Sequence, residues 1–143
     1  MSLELRSAVA DRVRVRIQRL PHATDLPLPG YASAGAAGLD VRAAVAAPVE
    51  IPSGGIAHIP TGLVVEIPAG FEFQIRPRSG LATRHGLTLP NAPATIDSDY
   101  RGEIVVALIA QMVLARVPDV EWDEADALSP TARSTGGFGH TGI

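Results

Sequence analysis

The sequence predicts an all-β fold, because apolar and polar residues alternate in short runs that turn residues separate. In RVRVRIQRL, at residues 12–20, Val13, Val15 and Ile17 face one way and the arginines between them face the other. The 14 glycines and 12 prolines are spread along the 143 residues, so no long window can hold a helix. This combination favours a β-sandwich or barrel.

A second run of strands is expected in residues 55–80. The sequences PTG at 60–62 and PAG at 68–70 are typical of turns, and FEFQIR at 71–76 alternates again. Neither a repeat nor an interior linker interrupts the chain. We therefore expect one domain: a β body at residues 1–117, then an acidic connection and a glycine-rich arm at 118–143, with Trp122 pinning the connection to a surface.

The composition excludes several classes of protein. Hydrophobic residues make up 46% of the chain and the net charge is −3, as in a globular protein, and the absence of cysteine rules out disulfides and a thiolate nucleophile. No signal sequence or membrane span is evident, which predicts a cytoplasmic protein, and an excess of acids over bases disfavours nucleic acid. All twelve basic residues are arginine, so a side chain that binds phosphate here is a guanidinium.

The stretch RPRSGLATRHG, residues 76–86, leaves an expected strand and places Ser79 at a helix N-cap. A short helix beginning there would direct free N–H groups, the Ser79 hydroxyl and the Arg78 guanidinium at one point, as phosphate binding requires. A capped turn beside a surface arginine explains the same residues.

A turn-rich segment, LTLPNAPATIDSDYRGEI at residues 87–104, is compatible with a hairpin around Asn91. Behind the turn, Asp97, Asp99 and Tyr100 are close enough in sequence to border one cavity, where a carboxylate could polarise water and a ring could stack on a sugar or base. Equally, the acids could cap backbone N–H groups. Asp40, in GAAGLDVRAA, is either a site acid or a polar residue at a strand start.

The last twelve residues, ARSTGGFGHTGI, contain four glycines, which make the backbone costly to order. A frayed terminus would explain them. Arg133 and Phe138 nevertheless carry side chains that seek partners, which is compatible with an arm that closes over a ligand.

Five segments, AGLDVRA, RPRSGLA, NAPATIDSDYRGE, AQMV and RSTGGFGHTG, occur in that order, and together they resemble the motifs of the trimeric deoxyuridine triphosphatase (dUTPase) family. The resemblance covers residues 37–142. It implies a jelly-roll-like β-barrel with one short helix and a mobile C-terminal arm, assembled as a homotrimer with sites at subunit interfaces. It also implies hydrolysis of dUTP to dUMP and pyrophosphate with Mg²⁺, which limits uracil in DNA and supplies dUMP for thymidylate synthesis.

The resemblance gives roles to the residues that would bind the nucleoside and activate water. Asn91 and its hairpin match the uracil-binding element, where hydrogen bonds to the base edge reject cytosine and close packing rejects thymine. Tyr100 matches the ring that packs on deoxyribose and excludes a ribose 2′-hydroxyl. Asp97 matches the acid that orients and deprotonates the attacking water.

Further residues are matched to the phosphates and to the metal. Arg78, Ser79 and Gly80 match the phosphate cradle, and Gln111 matches another phosphate contact. Asp40 matches the first-motif acid that acts on Mg²⁺ through water. In the arm, Phe138 matches the ring that stacks on uracil, and Arg133 matches a phosphate contact.

One departure from the family pattern falls at Leu108 and Ile109. Relatives place a further turn and strand at this point, whereas here residues 104–117 form one apolar run, which questions the strand pairing around Gln111. We expect a stretch to be missing, visible as a long Cα separation within residues 107–110. A catalytically impaired jelly-roll that binds nucleotide or a protein partner is the alternative. Deoxycytidine triphosphate deaminase shares the fold, but the intact arm and the Asp97/Tyr100 pair argue against it.

Overall fold

The structure, a computed structural model, describes residues 12–106, 110–125 and 127–131. Within these ranges the chain is mostly extended, with one short α-helix, and no helix in them has the length and apolar character needed to cross a bilayer. The elements in chain order are β1 (Arg16–Arg19), a 3₁₀ turn (Pro21–Ala23), β2 (Gly30–Tyr31), β3 (Leu39–Asp40), β4 (Ile59–Pro60), β5 (Leu63–Glu66), β6 (Phe71–Pro77), α1 (Ser79–His85), β7 (Ala94–Ile96), β8 (Val105–Val106) and β9 (Ala110–Arg116).

The strands form three antiparallel sheets. The largest has the order β2-β3-β9-β6-β7, and two smaller sheets pair β1 with β5 and β4 with β8. Strand β9 lies between β3 and β6, which are distant from it in sequence, and the strands β4, β5 and β8 belong to the smaller sheets, so the chain crosses between sheets, as expected for a jelly-roll-like fold. The predicted all-β class with one short helix is confirmed, although the strands described here do not close into a barrel.

Strand β6 shows why the alternation predicted the fold. Phe73 and Ile75 are buried and Arg76 is exposed, in the pattern expected when one sheet face covers the core. Ile75, Met112 and Ile104, each 1% exposed, belong to the same core cluster. Burial of an aliphatic side chain of this size stabilises the fold by about 1.5–3 kcal/mol.

Strand β1 is shorter than the alternation of residues 12–20 predicts. Only Arg16–Arg19 pairs with β5. Val13 and Val15 before it are half-buried as expected, whereas Ile17, expected on the same face, is 36% exposed. The partner strand ends at Glu66, and Pro68 follows it without an N–H group to extend the ladder.

The long apolar run of residues 104–117 contains two strands in different sheets. Strand β8 pairs with β4, whereas β9 lies between β3 and β6, with Gln111 opposite Asp40 on one side and Arg76 on the other. The strand pairing around Gln111 is therefore formed. The predicted break in the Cα trace falls on residues 107–109, which lie outside the described residues, so it stays a prediction.

The acidic connection carries one wrong expectation. Trp122 is 89% exposed, so its ring does not pin this segment to the described body of the chain. Its neighbours from residue 117 to 125 are exposed as well, because the segment is rich in carboxylates that favour water. The division into a body at 1–117 and a connection and arm at 118–143 stays a prediction.

Candidate active site

Helix α1 carries the residues expected to bind phosphate. Its N-cap is Arg78, in extended conformation, rather than Ser79 as the sequence suggested, and no side chain caps it. Ser79 and Gly80 therefore occupy the first helical turn, ahead of the first intrahelical donor, the N–H of Leu81. Gly86 ends the helix with a left-handed backbone, φ 65°, which suits a residue without a side chain.

A cavity of about 420 Å³ opens between α1 and the large sheet. It joins five of the residues singled out in the sequence, which come from three separated segments of the chain: Asp40, Arg78, Ser79, Gly80 and Gln111. Strand β9 makes this possible, because Gln111 pairs directly with Asp40 of β3 and β6 leads into α1 on the other side. The carboxylate, the hydroxyl, the amide and a guanidinium thus border one space.

Gln111 is held in place by two features of its surroundings. Its Nε2 donates to the carbonyl of Pro77 at 3.4 Å, a long hydrogen bond. A Cβ atom on Gly38 would overlap the Gln111 side chain, so the glycine before Leu39 leaves the space that this side chain fills. Gly38, in the first of the five motif segments, therefore leaves room for the side chain of Gln111, in the fourth.

The charges in this cavity suit an anion. The Nε of Arg78 lies 3.6 Å from an Asp40 carboxylate oxygen, a partly exposed pair with weak mutual attraction. The sequence interpretation missed Arg84 and His85, which also line the cavity. A signal for Arg84 was available, because residues 80 and 84 lie four apart and share a helix face. The two guanidinium groups outnumber the single carboxylate.

Asn91 lies in a second cavity, of about 300 Å³, on another part of the surface. The chain turns at Pro90 and Asn91, and β7 follows and pairs with β6. The hairpin expected around Asn91 is not formed within the described residues: residues 87–89 are not in a strand, and the apolar run after Arg101 pairs with β4 through β8. Apolar side chains, among them Ile75, Leu89 and Val106, form most of the wall of this cavity, as in a pocket that could accept a flat ring.

Asp97 lies in a third cavity, of about 440 Å³, together with Glu72, Asp99 and Asp119. The N–H of Tyr100 donates to the backbone carbonyl of Asp97 at 3.2 Å, which closes a turn without using either carboxylate. Across the described part of the chain, no hydrogen bond or ion pair engages the Asp97 carboxylate. The interpretation of these acids as caps is therefore not supported, and the Asp97 oxygens are free to meet water.

Tyr100 stands in the loop behind Asp97 and is 42% exposed. Its hydroxyl donates to the carbonyl of Glu103 at 2.9 Å, and Arg101 donates to the carbonyls of Ser98 and Tyr100 at 2.7 and 2.9 Å. These bonds join residues of the loop to one another.

A single chain does not bring all the candidate residues together. Ile96, next to Asp97, lies opposite Phe73, whereas Arg78 is five residues beyond Phe73 along the same strand direction. Continuing this antiparallel register sets Asp97 level with Glu72, six residues before Arg78. A strand rises about 3.3 Å per residue, so some 20 Å separates the levels of Asp97 and Arg78. Arg133 and Phe138 lie outside the described residues.

Comparison with known proteins identifies relatives of this chain. The dUTPase family model matches residues 24–142. A structure of the Staphylococcus bacteriophage 80alpha dUTPase with dUpNHpp superimposes with a TM-score of 0.75 at 20% identity, covering 91% of this chain and 99% of that one.

A second structure is a variant of the dUTPase from phage phi11 of S. aureus, described with a structural Mg(II) ion. It gives a TM-score of 0.66 at 17% identity and covers 82% of this chain and 99% of that one. At these identities the superpositions establish the fold, whereas the family model spans most of the sequence. The chain belongs to the dUTPase family.

Proposed function

We propose that this chain hydrolyses dUTP to dUMP and pyrophosphate, at sites shared between the subunits of a homotrimer. The cavity that joins Asp40, Arg78, Ser79, Gly80 and Gln111 carries the proposal, because it gathers three of the family's motifs around a space that suits a triphosphate. In the cytoplasm this reaction would limit uracil in DNA and supply dUMP for thymidylate synthesis.

The nucleoside end of the substrate would bind to the segment after α1. Asn91 and the backbone around it would hydrogen-bond the uracil edge, so that cytosine leaves polar groups unpaired. The mostly apolar wall beside Asn91 supports a base site there. Tyr100 would pack against the deoxyribose and leave no space for a 2′-hydroxyl.

The chemical step would use Asp97 as general base. Its carboxylate takes a proton from water, the water oxygen bonds to the α-phosphorus, and the bond from that phosphorus to the bridging oxygen of the β-phosphate breaks. Pyrophosphate leaves with the electron pair of that bond. The unengaged Asp97 carboxylate supports this role, because an acid already used as a backbone cap would be a poorer base.

The donor groups of the phosphate cavity fit a metal that arrives with the triphosphate. Asp40 is the single carboxylate there, and the described residues hold no cluster of three or more histidine or acidic side chains that could bind a cation alone. Mg²⁺ prefers such sites, with one or two carboxylates, substrate phosphates and retained waters. Asp40 would hold the ion through water, and bound Mg²⁺ would neutralise charge on the phosphates.

A homotrimer would unite the separate cavities. Because Asp97 and Arg78 lie at distant levels of one chain, a water held by Asp97 would reach phosphates bound at Arg78 of a neighbouring subunit. The arm, with Arg133 and Phe138, would then close over the nucleotide and exclude water that is not reacting.

Pyrophosphate release from dUTP, dCTP, dTTP and UTP, with Mg²⁺ present, tests the function. We expect turnover of dUTP and at most weak turnover of the other three. Equal turnover of all four nucleotides would contradict the proposed roles of Asn91 and Tyr100 in selecting the base and the sugar. Absence of any turnover would favour the alternative, a catalytically impaired protein that binds nucleotide. Release of ammonia from dCTP would instead indicate a deaminase.

A further inference from the structure

We propose that Glu103 is a positioning residue: it fixes the Tyr100 ring and, through that ring, sets the discrimination between dUTP and UTP. The second half rests on the proposed function, in which Tyr100 excludes the 2′-hydroxyl. The first half concerns the loop alone and stands on its own contacts. No motif role was assigned to the Glu103 side chain.

The Tyr100 ring depends on Glu103 for its polar anchor. The phenol donates to the Glu103 carbonyl oxygen at 2.9 Å. Because Tyr100 is 42% exposed, this hydrogen bond and the contacts of the ring with its own loop keep the ring in place. A shift of the Glu103 backbone would therefore carry the phenol with it.

Glu103 is itself fastened to two other parts of the fold. One carboxylate oxygen accepts the N–H of Gly62 at 2.8 Å, and Nε2 of His22 lies 2.7 Å from the same atom. Only a quarter of the Glu103 side chain is exposed, so these bonds are partly shielded from water and stronger than surface contacts. The carboxylate joins the loop to the turn before β5 and to the 3₁₀ turn.

The anchoring points are rigid. Gly62 has a left-handed backbone, φ 66°, and a Cβ atom there would overlap that of Ala23. Its carbonyl accepts the N–H of Leu20 at 2.8 Å. The next residue after Glu103, Ile104, is 1% exposed, and its N–H donates to the carbonyl of Leu63 at 2.9 Å. Glu103 is thus the residue at which the loop joins the core.

Gly102 completes the arrangement from the other side. A Cβ atom on this residue would overlap the Tyr100 hydroxyl and crowd the ring carbon that bears it. The ring therefore rests against a backbone that has no side chain. Gly102 and Glu103 together define one place for the ring: the first gives it space, and the second gives its hydroxyl a partner.

The chain offers a direct readout of ring placement, because it contains two tyrosines, Tyr31 and Tyr100. Selective labelling of tyrosine gives two ring signals in an NMR spectrum of the full chain, and Tyr31 serves as the internal reference. We expect Glu103→Ala and Gly102→Ala each to shift or broaden the Tyr100 signal and to leave that of Tyr31 unchanged. Glu103→Gln retains an acceptor oxygen and should restore the parental spectrum.

The matched control is Glu50→Ala. Glu50 is an exposed acid outside the strands, and it lines neither of the described cavities that include residues of the Tyr100 loop. This variant should leave both tyrosine signals in place. An unmoved Tyr100 signal in folded Glu103→Ala and Gly102→Ala would overturn the proposal, whatever the activity of the parent.

The kinetic readout is the ratio of kcat/KM for dUTP to that for UTP. We expect Glu103→Ala to lower this ratio about tenfold, the order of a lost positioning contact. In the Tyr100→Ala background the same change should have no further effect on the ratio, because the ring through which it acts is gone. A ratio that stays parental, or that falls equally in both backgrounds, would refute the link to discrimination.

The two hypotheses fail in distinguishable ways. If the parent hydrolyses dUTP but Tyr100→Ala does not alter the ratio, the role of Tyr100 in the proposed function is wrong, while the NMR result still decides whether Glu103 positions the ring. If Tyr100→Ala alters the ratio and Glu103→Ala does not, Glu103 does not set the discrimination between dUTP and UTP, and the proposed function stands.

Discussion

At the scale of single residues, the clearest contrast lies between Asp40 and Asp97, two acids that the sequence left ambiguous. Asp40 enters a cavity beside a guanidinium, 3.6 Å from Arg78, whereas no described group engages the Asp97 carboxylate. The same side chain thus meets two different environments. One acid lies among the groups that we propose bind phosphate, and the carboxylate of the other is free to accept a proton.

This difference predicts the behaviour of Asp97→Asn. The amide keeps the shape of the side chain but cannot accept the proton of water, so we expect kcat to fall by about 10²–10⁴-fold, with KM for dUTP within about threefold of the parent. Steady-state assays of pyrophosphate release give both constants. Retention of most of kcat would show that another group acts as the base.

A second prediction concerns the glycine that makes room for Gln111. In Gly38→Ala the new methyl group would displace the Gln111 side chain from the phosphate cavity, so we expect KM for dUTP to rise about three- to tenfold and melting temperature to change little. Gly35→Ala is the control, because a Cβ atom at Gly35 meets no atom within 4 Å. Equal KM values in the two variants would show that the Gln111 side chain does not contribute to phosphate binding.

At the scale of the elements, the sequence predicted what depends on local pattern. The alternation in FEFQIR gave strand β6 and its buried face, and the helix after it was expected within one residue of where it begins. The start of β1 at Arg16 was not predictable from its own residues, because it depends on where the partner strand β5 ends, at Glu66. The division of residues 104–117 into β8 and β9 was equally hidden, since both strands are apolar and only their pairing with different sheets separates them.

The turn before β5 provides a stability test at this scale. Gly62→Ala requires a left-handed alanine and an overlap with Ala23, so we expect a loss of about 2–4 kcal/mol in the free energy of unfolding. Gly54→Ala is the matched control: its φ is 75°, but a Cβ atom there meets open space, so a loss of only about 1–2 kcal/mol is expected. Denaturant unfolding at one protein concentration measures both. Equal losses in the free energy of unfolding would mean that the residues around Ala23 shift to accommodate the added methyl group.

At the scale of the whole molecule, motif order predicted the family, yet it could not predict which of the candidate residues one chain brings together. Strand register decides that. Gln111 meets Asp40 because β9 pairs with β3, whereas Asp97 and Arg78 lie at opposite ends of β6. The spacing of the motifs along the sequence predicts neither the pairing of Gln111 with Asp40 nor the separation of Asp97 from Arg78.

This separation leads to a complementation experiment. In the proposed function Arg78→Ala lacks a phosphate-binding group and Asp97→Asn lacks the base, so each variant alone is expected to retain less than about one hundredth of parental kcat/KM. If each site takes Arg78 from one subunit and Asp97 from its neighbour, trimers that contain both variants include sites in which both residues are intact. After random exchange in an equal mixture, about a quarter of all sites should meet that condition, and activity should recover to about a quarter of the parental value.

The control mixture combines Arg78→Ala with the double variant Arg78→Ala/Asp97→Asn, in which no site has an intact Arg78. Sedimentation before the assay establishes that the subunits have exchanged and that the trimer is intact. Recovery in the first mixture and none in the control would place the two residues on different subunits. If exchanged trimers of both mixtures stay inactive, Arg78 and Asp97 act within one chain, and the chain would have to bend the large sheet to bridge the roughly 20 Å between their levels.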